Sequence, residues 1–145
     1  MFEHVISACE TDEVKNQLRY AQSLLKLGSD DIDFVEGLSE RKSRNGAVFQ
    51  IKASDAVACV AFILGKYYRT PEIAVRKAVG LGGDTDTIAS MVGACVGALH
   101  GSSWIPKRWY RNVENVAILV SMATILSNLN FTSETDVVIE GMEQA

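Results

Sequence analysis

Apolar residues recur at helical spacing along most of the chain, and this pattern sets the first expectation about its fold. Between Thr11 and Gly28, the residues Val14, Leu18 and Ala21 fall on one face of a helix. Thr11 is a suitable N-cap, two acids follow it in the first turn, and Gly28 is typical of a helix end. The sequence therefore predicts a first amphipathic helix over residues 11–27.

Further along the chain, the same pattern predicts several more helices and no pair of strands. The second strong helix is almost wholly apolar in its body, so we expect it to be buried on most sides. The next one has a clear start, in which a cap is followed by proline at the first helical position. These elements are a helix over 54–68 capped by Ser54, a helix from Pro71 to Gly80, a short basic helix containing Trp109 and Tyr110, and an apolar helix over 113–126.

An all-α fold of six to eight helices follows from these elements. At 145 residues, the chain is long enough for one domain over 1–145 or a large piece of one. Residues 132–145 form a tail with a weak helical pattern, and tails of this kind are often mobile.

The rest of the chain is organised around residues 80–101, GLGGDTDTIASMVGACVGALHG. A glycine-rich turn, which can adopt positive φ, precedes Asp84, Asp86 and Thr87. A largely apolar run then continues to Leu99, long enough for about three helical turns. We therefore expect the two acids and the threonine at the mouth of a core helix, with Asp84 as its N-cap.

Asp84, Asp86 and Thr87 are together called here the acidic corner. Two interpretations of it are open from the residues alone. Carboxylate and hydroxyl oxygens are hard ligands, which suit Mg²⁺, Mn²⁺ or Ca²⁺ better than zinc. Alternatively, Asp84 only caps the helix, and Asp86 lies in its first turn because acids there favour the helix dipole. The absence of a basic residue beside the cluster favours the metal interpretation without deciding between them.

The same motif closely resembles the C-terminal metal motif of the ADP-ribosylglycohydrolase family, and the resemblance extends over about residues 45–112. It implies an all-α fold, a compact orthogonal helical bundle, with Mg²⁺, and in the family two ions, at its centre. The matched metal ligands are Asp84, Asp86 and Thr87, with Asp86 as the expected bridging ligand. The resemblance also implies hydrolysis of the bond between ADP-ribose and a protein side chain, or of related small-molecule linkages.

One part of the family pattern is missing from this chain. Family members are longer, and their N-terminal half carries a second acid cluster of the form G-D-D/T that completes a dinuclear site. Asp30, Asp31 and Asp33 are the only candidates here, and they lack the flanking pattern. The chain thus resembles the C-terminal half of the family domain, and no catalytic or substrate-binding residue is identified in it.

Two functional hypotheses follow from this match and this departure. In the first, the chain supplies the C-terminal half of the metal site of an ADP-ribosyl hydrolase, and another polypeptide segment supplies the complementary N-terminal half. In the second, it is an inactive ADP-ribose-binding or helix-mediated assembly module. Helices that lack their usual neighbours would then expose apolar faces, which predicts self-association or pairing with a partner.

Composition narrows the possible partners and the compartment. A net charge of −4 leaves no basic footprint for nucleic acid or an anionic membrane. The three cysteines have no metal-ligand spacing, and Cys59 and Cys95 are interpreted as small core residues. The N-terminal residues include several acids and no apolar signal core, and the apolar runs are too short to span a bilayer. We therefore expect a cytoplasmic protein.

Overall fold

The computed structural model of the chain describes residues 2–31, 34 and 52–129. Those residues contain helices and no strands, as the sequence predicts. The tail predicted over 132–145 lies outside the described residues. So does the polar, basic stretch 39–50, which its Asn45-Gly46 dipeptide predicts to be a loop. In chain order the helices are α1 (Phe2–Ala8), α2 (Asp12–Leu27), α3 (Ala53–Tyr67), α4 (Pro71–Gly80), α5 (Thr85–His100), α6 (Lys107–Tyr110) and α7 (Val116–Asn128).

The chain divides into two units, Met1–Ile105 and Pro106–Ala145. Helix α3 is the centre of the first unit, where it packs against α2, α4 and α5, and α4 packs against α5. Eight residues of α3 are buried. Its Phe62 stacks on Phe34 with ring centroids 4.0 Å apart, and Tyr20 of α2 also stacks on Phe34, with ring centroids 5.8 Å apart. The described core is therefore an aromatic and aliphatic cluster built around α3.

The start of α3 differs from the prediction. Lys52 occupies the N-cap position, and no side chain caps the helix. Ser54 is instead buried, and its hydroxyl donates a hydrogen bond to Oε1 of Glu13 in α2 at 3.2 Å. A serine near a helix start was interpreted as a local cap, but here a tertiary partner on α2 takes its hydroxyl. Similarly, Thr11 lies at the N-cap of α2 without a side-chain cap hydrogen bond.

Helix α5 is less buried than its composition predicts. Only Ile88, Val92 and Val96 are buried, one residue per turn along a single stripe. Cys95 is exposed, so its interpretation as a core residue is wrong, whereas Cys59 is buried as expected. The spacing of Gly93 and Gly97, four residues apart among small side chains, predicts a close contact with another helix. A side chain added at either position would meet nothing within 4 Å, so that prediction is wrong.

The second unit contains α6 and α7, and neither helix has a buried residue. The predicted short basic helix and the predicted apolar helix are both present, although α7 begins three residues later than expected, at Val116. A helix over Phe2–Ala8 was not predicted. Across the described ranges, no helix has the length and apolar character needed to cross a bilayer.

Candidate metal centre

A tight turn between α4 and α5 positions the acidic corner at the start of α5. Gly82 and Gly83 have φ values of 79° and 73°, a region that residues with a side chain rarely adopt. The N–H of Thr85 then donates to the carbonyl of Gly83 at 2.9 Å, which closes the turn directly before α5. The glycines predicted to allow positive φ therefore do so, and they position the next residues at the N-terminus of the helix.

The carboxyl groups of Asp84 and Asp86 lie close enough to interact. A hydrogen bond with the Asp84 side chain, and a second one from the N–H of Thr87, lower the pKa of Asp86 below its usual range. The Thr87 N–H donates to Oδ1 of Asp86 at 3.0 Å. Asp86 and Thr87 are exposed, and Asp84 is partly exposed. The three predicted ligands are thus brought together on a surface that solvent can reach.

The purely structural interpretation of this corner holds only in part. Asp84 occupies the N-cap position of α5, as predicted, although its side chain makes no cap hydrogen bond. Asp86 lies in the first turn, where the helix dipole favours an acid. Two carboxyl groups held this close repel each other when both are ionised. A hard divalent cation would relieve that repulsion, so the donor set fits Mg²⁺ chemically.

The number of protein ligands in the described residues limits how such an ion could be held. Among residues 2–31, 34 and 52–129, no group of three His, Cys, Asp or Glu side chains is placed to hold a metal. The corner itself offers two carboxylates and a hydroxyl. Since Mg²⁺ binds through one or two carboxylates and retains several waters, this set suits one ion held weakly.

Asp31, one of the acids considered for a second cluster, has a different role. Its carboxylate accepts hydrogen bonds from Lys66 and Lys77, both at 2.9 Å, and from the Tyr67 hydroxyl at 3.2 Å. Partial burial alone would raise the pKa of Asp31, but the two ammonium groups outweigh it and lower that pKa. The sequence analysis missed this ion-pair cluster because Asp31 is 35 or more positions away from each of its partners and shares no short motif with them.

Asp55, in the first turn of α3, is an acid to which the sequence analysis assigned no role. Its side chain is almost fully buried and accepts a hydrogen bond from Nε2 of Gln17 at 3.1 Å. Burial raises the pKa of Asp55, with a smaller opposing effect from Lys52. Burial, together with the charge of Asp55, also raises the pKa of the Cys59 thiol to about 12. Cys59 is therefore an unreactive core thiol rather than a nucleophile.

The C-terminal end of α5 carries His100 and lies beside a cavity. Nε2 of His100 lies 2.6 Å from the carbonyl oxygen of Tyr68, a contact between residues 32 positions apart in the chain. A cavity of about 1030 Å³ opens there within the first unit, and its lining does not include Asp84, Asp86 or Thr87. Its walls include Phe2, Leu25, Leu64, Tyr68, Cys95 and Leu99.

Comparison with known proteins now identifies the family. The family model for ADP-ribosylglycohydrolase matches residues 1–135. The chain therefore belongs to the ADP-ribosylglycohydrolase family, whose all-α fold agrees with the helices described above. This membership marks it as similar to a hydrolase.

Three curated relatives share this similarity. ADP-ribosylhydrolase ARH3 of Gallus gallus is 34% identical over 64 residues, which are 44% of this chain and 17% of that protein. The Danio rerio protein of the same name is 36% identical over 78 residues, 50% of this chain and 21% of that protein. The Homo sapiens protein is 50% identical over 36 residues, 25% of this chain and 10% of that protein. The aligned part thus spans about a fifth or less of each relative, and no solved structure matches the chain.

Proposed function

We propose that this chain takes part in Mg²⁺-dependent hydrolysis of ADP-ribose linkages and that Asp84, Asp86 and Thr87 form its contribution to the metal site. The observation that carries the proposal is the pairing of two carboxyl groups at the start of α5, in the one motif that resembles the family's metal site. Mn²⁺ and Ca²⁺, which also prefer oxygen ligands, are possible substitutes.

Each residue of the corner has a distinct part in this proposal. Asp86 has a lowered pKa, so its carboxylate stays ionised over a wider pH range than an ordinary aspartate. We assign it the bridging position, with Asp84 and the Thr87 hydroxyl completing the protein ligands of one ion. The N–H of Thr87 fixes the orientation of the Asp86 carboxylate through the 3.0 Å hydrogen bond. When bound, a divalent ion would supply a template and a Lewis acid for the ADP-ribose group.

We infer the substrate class from the names of the relatives and not from the shape of a pocket. Proteins named ADP-ribosylhydrolase ARH3 are the relatives described above, so an ADP-ribosylated protein or small molecule is the proposed substrate. Since two or three protein ligands make an incomplete site, we expect weak hydrolysis by this chain alone. A complementary N-terminal portion of the family domain, whether on the same polypeptide or another, would supply the remaining ligands.

Titration calorimetry with MgCl₂ tests the site directly, with Asp84→Asn and Asp86→Asn as the variants. Each replacement keeps the size of the side chain and removes a charged ligand, so we expect the affinity for Mg²⁺ to fall about tenfold or more. Asp12→Asn is the matched control, because Asp12 is also an exposed acid in the first turn of a helix, α2. Unchanged Mg²⁺ binding in the Asp84→Asn/Asp86→Asn double variant would contradict the proposal.

A hydrolysis assay on ADP-ribosyl-serine and ADP-ribosyl-arginine peptides complements the titration. We expect any activity to require Mg²⁺ and to disappear in Asp86→Asn but not in Asp12→Asn. Mg²⁺ binding at this corner without turnover of either peptide would instead support the inactive ADP-ribose-binding or assembly module.

A further inference from the structure

The cavity beside the C-terminal end of α5 lies where four helices of the first unit meet. Its walls come from α1, α2, α3 and α5, and every lining residue belongs to the described part of that unit. Its volume of about 1030 Å³ is at the upper end of the range found for small-molecule sites. The acidic corner contributes nothing to the lining, so the cavity is not a part of the candidate metal centre.

Most of the wall is apolar. Leu64 and Gly65 of α3 lie in it, together with Ala98 and Leu99 of α5. A Cβ atom at Gly65 would lie 2.6 Å from Cδ1 of Leu25, so the missing side chain allows α2 to approach α3 closely at this point. Because apolar surface is more stable in contact with an apolar group than with water, this part of the wall favours a hydrocarbon.

The polar part of the wall comes from α1 and α2. Gln22 and Lys26 are four residues apart in α2, so their side chains lie on the same face of that helix. Nε2 of Gln22 donates a hydrogen bond to Oε1 of Glu3 in α1 at 2.9 Å, which gives the acid of this wall a partner. The ammonium group of Lys26 makes neither an ion pair nor a hydrogen bond with any residue that the structure describes. The wall therefore carries one positive charge that an acid could neutralise.

An apolar wall beside one positive charge is complementary to an amphipathic anion. We propose that this cavity binds a free alkyl carboxylate, with its chain against the apolar wall and its carboxylate at the ammonium group of Lys26. An alkylammonium ion would instead bring a second positive charge next to Lys26, and like charges repel. This inference is independent of the chemistry proposed for Asp84 and Asp86.

Titration calorimetry of the whole chain with octanoate, decanoate and decylammonium tests the ligand class. We expect one molecule of decanoate to bind in a saturable manner, and each added methylene group should raise the affinity about two- to fourfold. Decylammonium, which has the same chain and the opposite charge, should bind about tenfold more weakly or not at all.

A substitution of Lys26 tests the position of the carboxylate. Lys26→Gln removes the charge and should lower the affinity for decanoate about tenfold, the usual loss for a hydrogen bond to a charged group. Lys15→Gln is the matched control, because Lys15 also lies on α2 but does not line the cavity. Equal affinity in the wild type and in Lys26→Gln would contradict the proposal.

Two exposed alanines of α5, one turn apart, test whether the ligand occupies the cavity. Ala98 lines the cavity and Ala94 does not. Ala98→Phe fills part of the space and should lower the affinity for decanoate about tenfold or more, whereas Ala94→Phe should leave it unchanged. Circular dichroism should show the same helix content in both variants, because neither alanine is buried.

The thiol of Cys95 reports on occupation of the cavity independently. Cys95 is exposed and lines the cavity, whereas Cys9 does not line it. Saturating decanoate should therefore slow the alkylation of Cys95 by iodoacetamide at least fivefold, as followed by peptide mass spectrometry, and leave the rate at Cys9 unchanged. Absence of saturable binding by the wild type, equal affinity for decylammonium, or equal slowing at both thiols would overturn the proposal.

Discussion

Helix α3 and helix α7 are both long and apolar, but α3 has eight buried residues and α7 has none. Ile63 of α3 is fully buried, whereas Ile125 of α7 is 60% exposed. The difference does not lie in the helices themselves, since both are rich in aliphatic residues. It lies in their neighbours: α3 is surrounded by α2, α4 and α5 of its own unit, whereas the described helices of the second unit, α6 and α7, have no buried residue.

This contrast shows what a hydropathy pattern predicts and what it leaves open. The pattern predicted helices at both places, because backbone hydrogen bonding and apolar periodicity are local properties. Burial depends on which other surface is present, and that is not encoded in the local pattern. The isoleucines of the two helices therefore offer a matched pair for experiment.

The largest expected effect comes from shortening these two isoleucines. Ile63→Ala removes fully buried methyl groups from the core cluster and should lower the free energy of unfolding by about 2–5 kcal/mol. Ile125→Ala should change it by less than about 0.5 kcal/mol. Chemical denaturation of both variants measures the difference. Equal losses would mean that α7 is buried in the protein, and the comparison would fail.

A smaller effect is expected where charged residues anchor the C-terminal end of α3. Asp31→Asn removes the charge that pairs with Lys66 of α3 and Lys77 of α4, and should lower the free energy of unfolding by about 1–3 kcal/mol at neutral pH. Ser23→Ala, at an exposed position of α2, is a control that should change little.

The pH dependence of this anchor has a definite sign. The folded-state pKa of Asp31 is lowered, so its stabilising contribution is present above the ordinary aspartate pKa of about 3.9 and is lost as the pH falls through the folded value. The difference in unfolding free energy between wild type and Asp31→Asn should therefore shrink below about pH 4. A difference that stays constant down to pH 2 would show that the ion pairs do not carry the effect.

The smallest effect on the free energy of unfolding is expected from a substitution at the N-terminal end of α3. This substitution should stabilise the fold, whereas Asp31→Asn should destabilise it. Burial raises the pKa of Asp55, so keeping this carboxylate ionised at neutral pH destabilises the fold. Asp55→Asn retains an acceptor for the Gln17 amide and should increase the free energy of unfolding by about 1 kcal/mol or less. The gain should appear as the pH rises through the folded pKa and vanish below about pH 4. Destabilisation at neutral pH would indicate that the charge itself is needed.

The sequence predicted the order of the main helices and the glycine turn because their signals are local. Gly28 ends α2 with φ of 72°, and Pro71 opens α4, each as its position in the pattern predicts. The burial of single residues was predicted less well. Ser54 and Cys95 were assigned from their immediate neighbours, but a hydroxyl partner on α2 and an open side of α5 decided their environments.

In the candidate site, too, local features were predicted from the sequence and long-range contacts were not. The motif alone placed Asp84, Asp86 and Thr87 together, because four consecutive residues at a helix start cannot be far apart. Whether they bind a metal stays a prediction, since the additional ligands of such a site come from distant parts of a fold. The long-range contacts of Asp31 and Asp55 likewise depend on how helices pack, and no spacing rule reveals them.

An electron paramagnetic resonance titration with Mn²⁺, used as a substitute for Mg²⁺, tests the metal site most directly because free and bound ions give different signals. We predict saturable Mn²⁺ binding to the wild type and to Asp12→Asn, competition by Mg²⁺, and loss of binding in the Asp84→Asn/Asp86→Asn double variant. Binding of equal strength by the double variant, or no saturable binding by the wild type, would contradict the assignment of this corner as a metal centre.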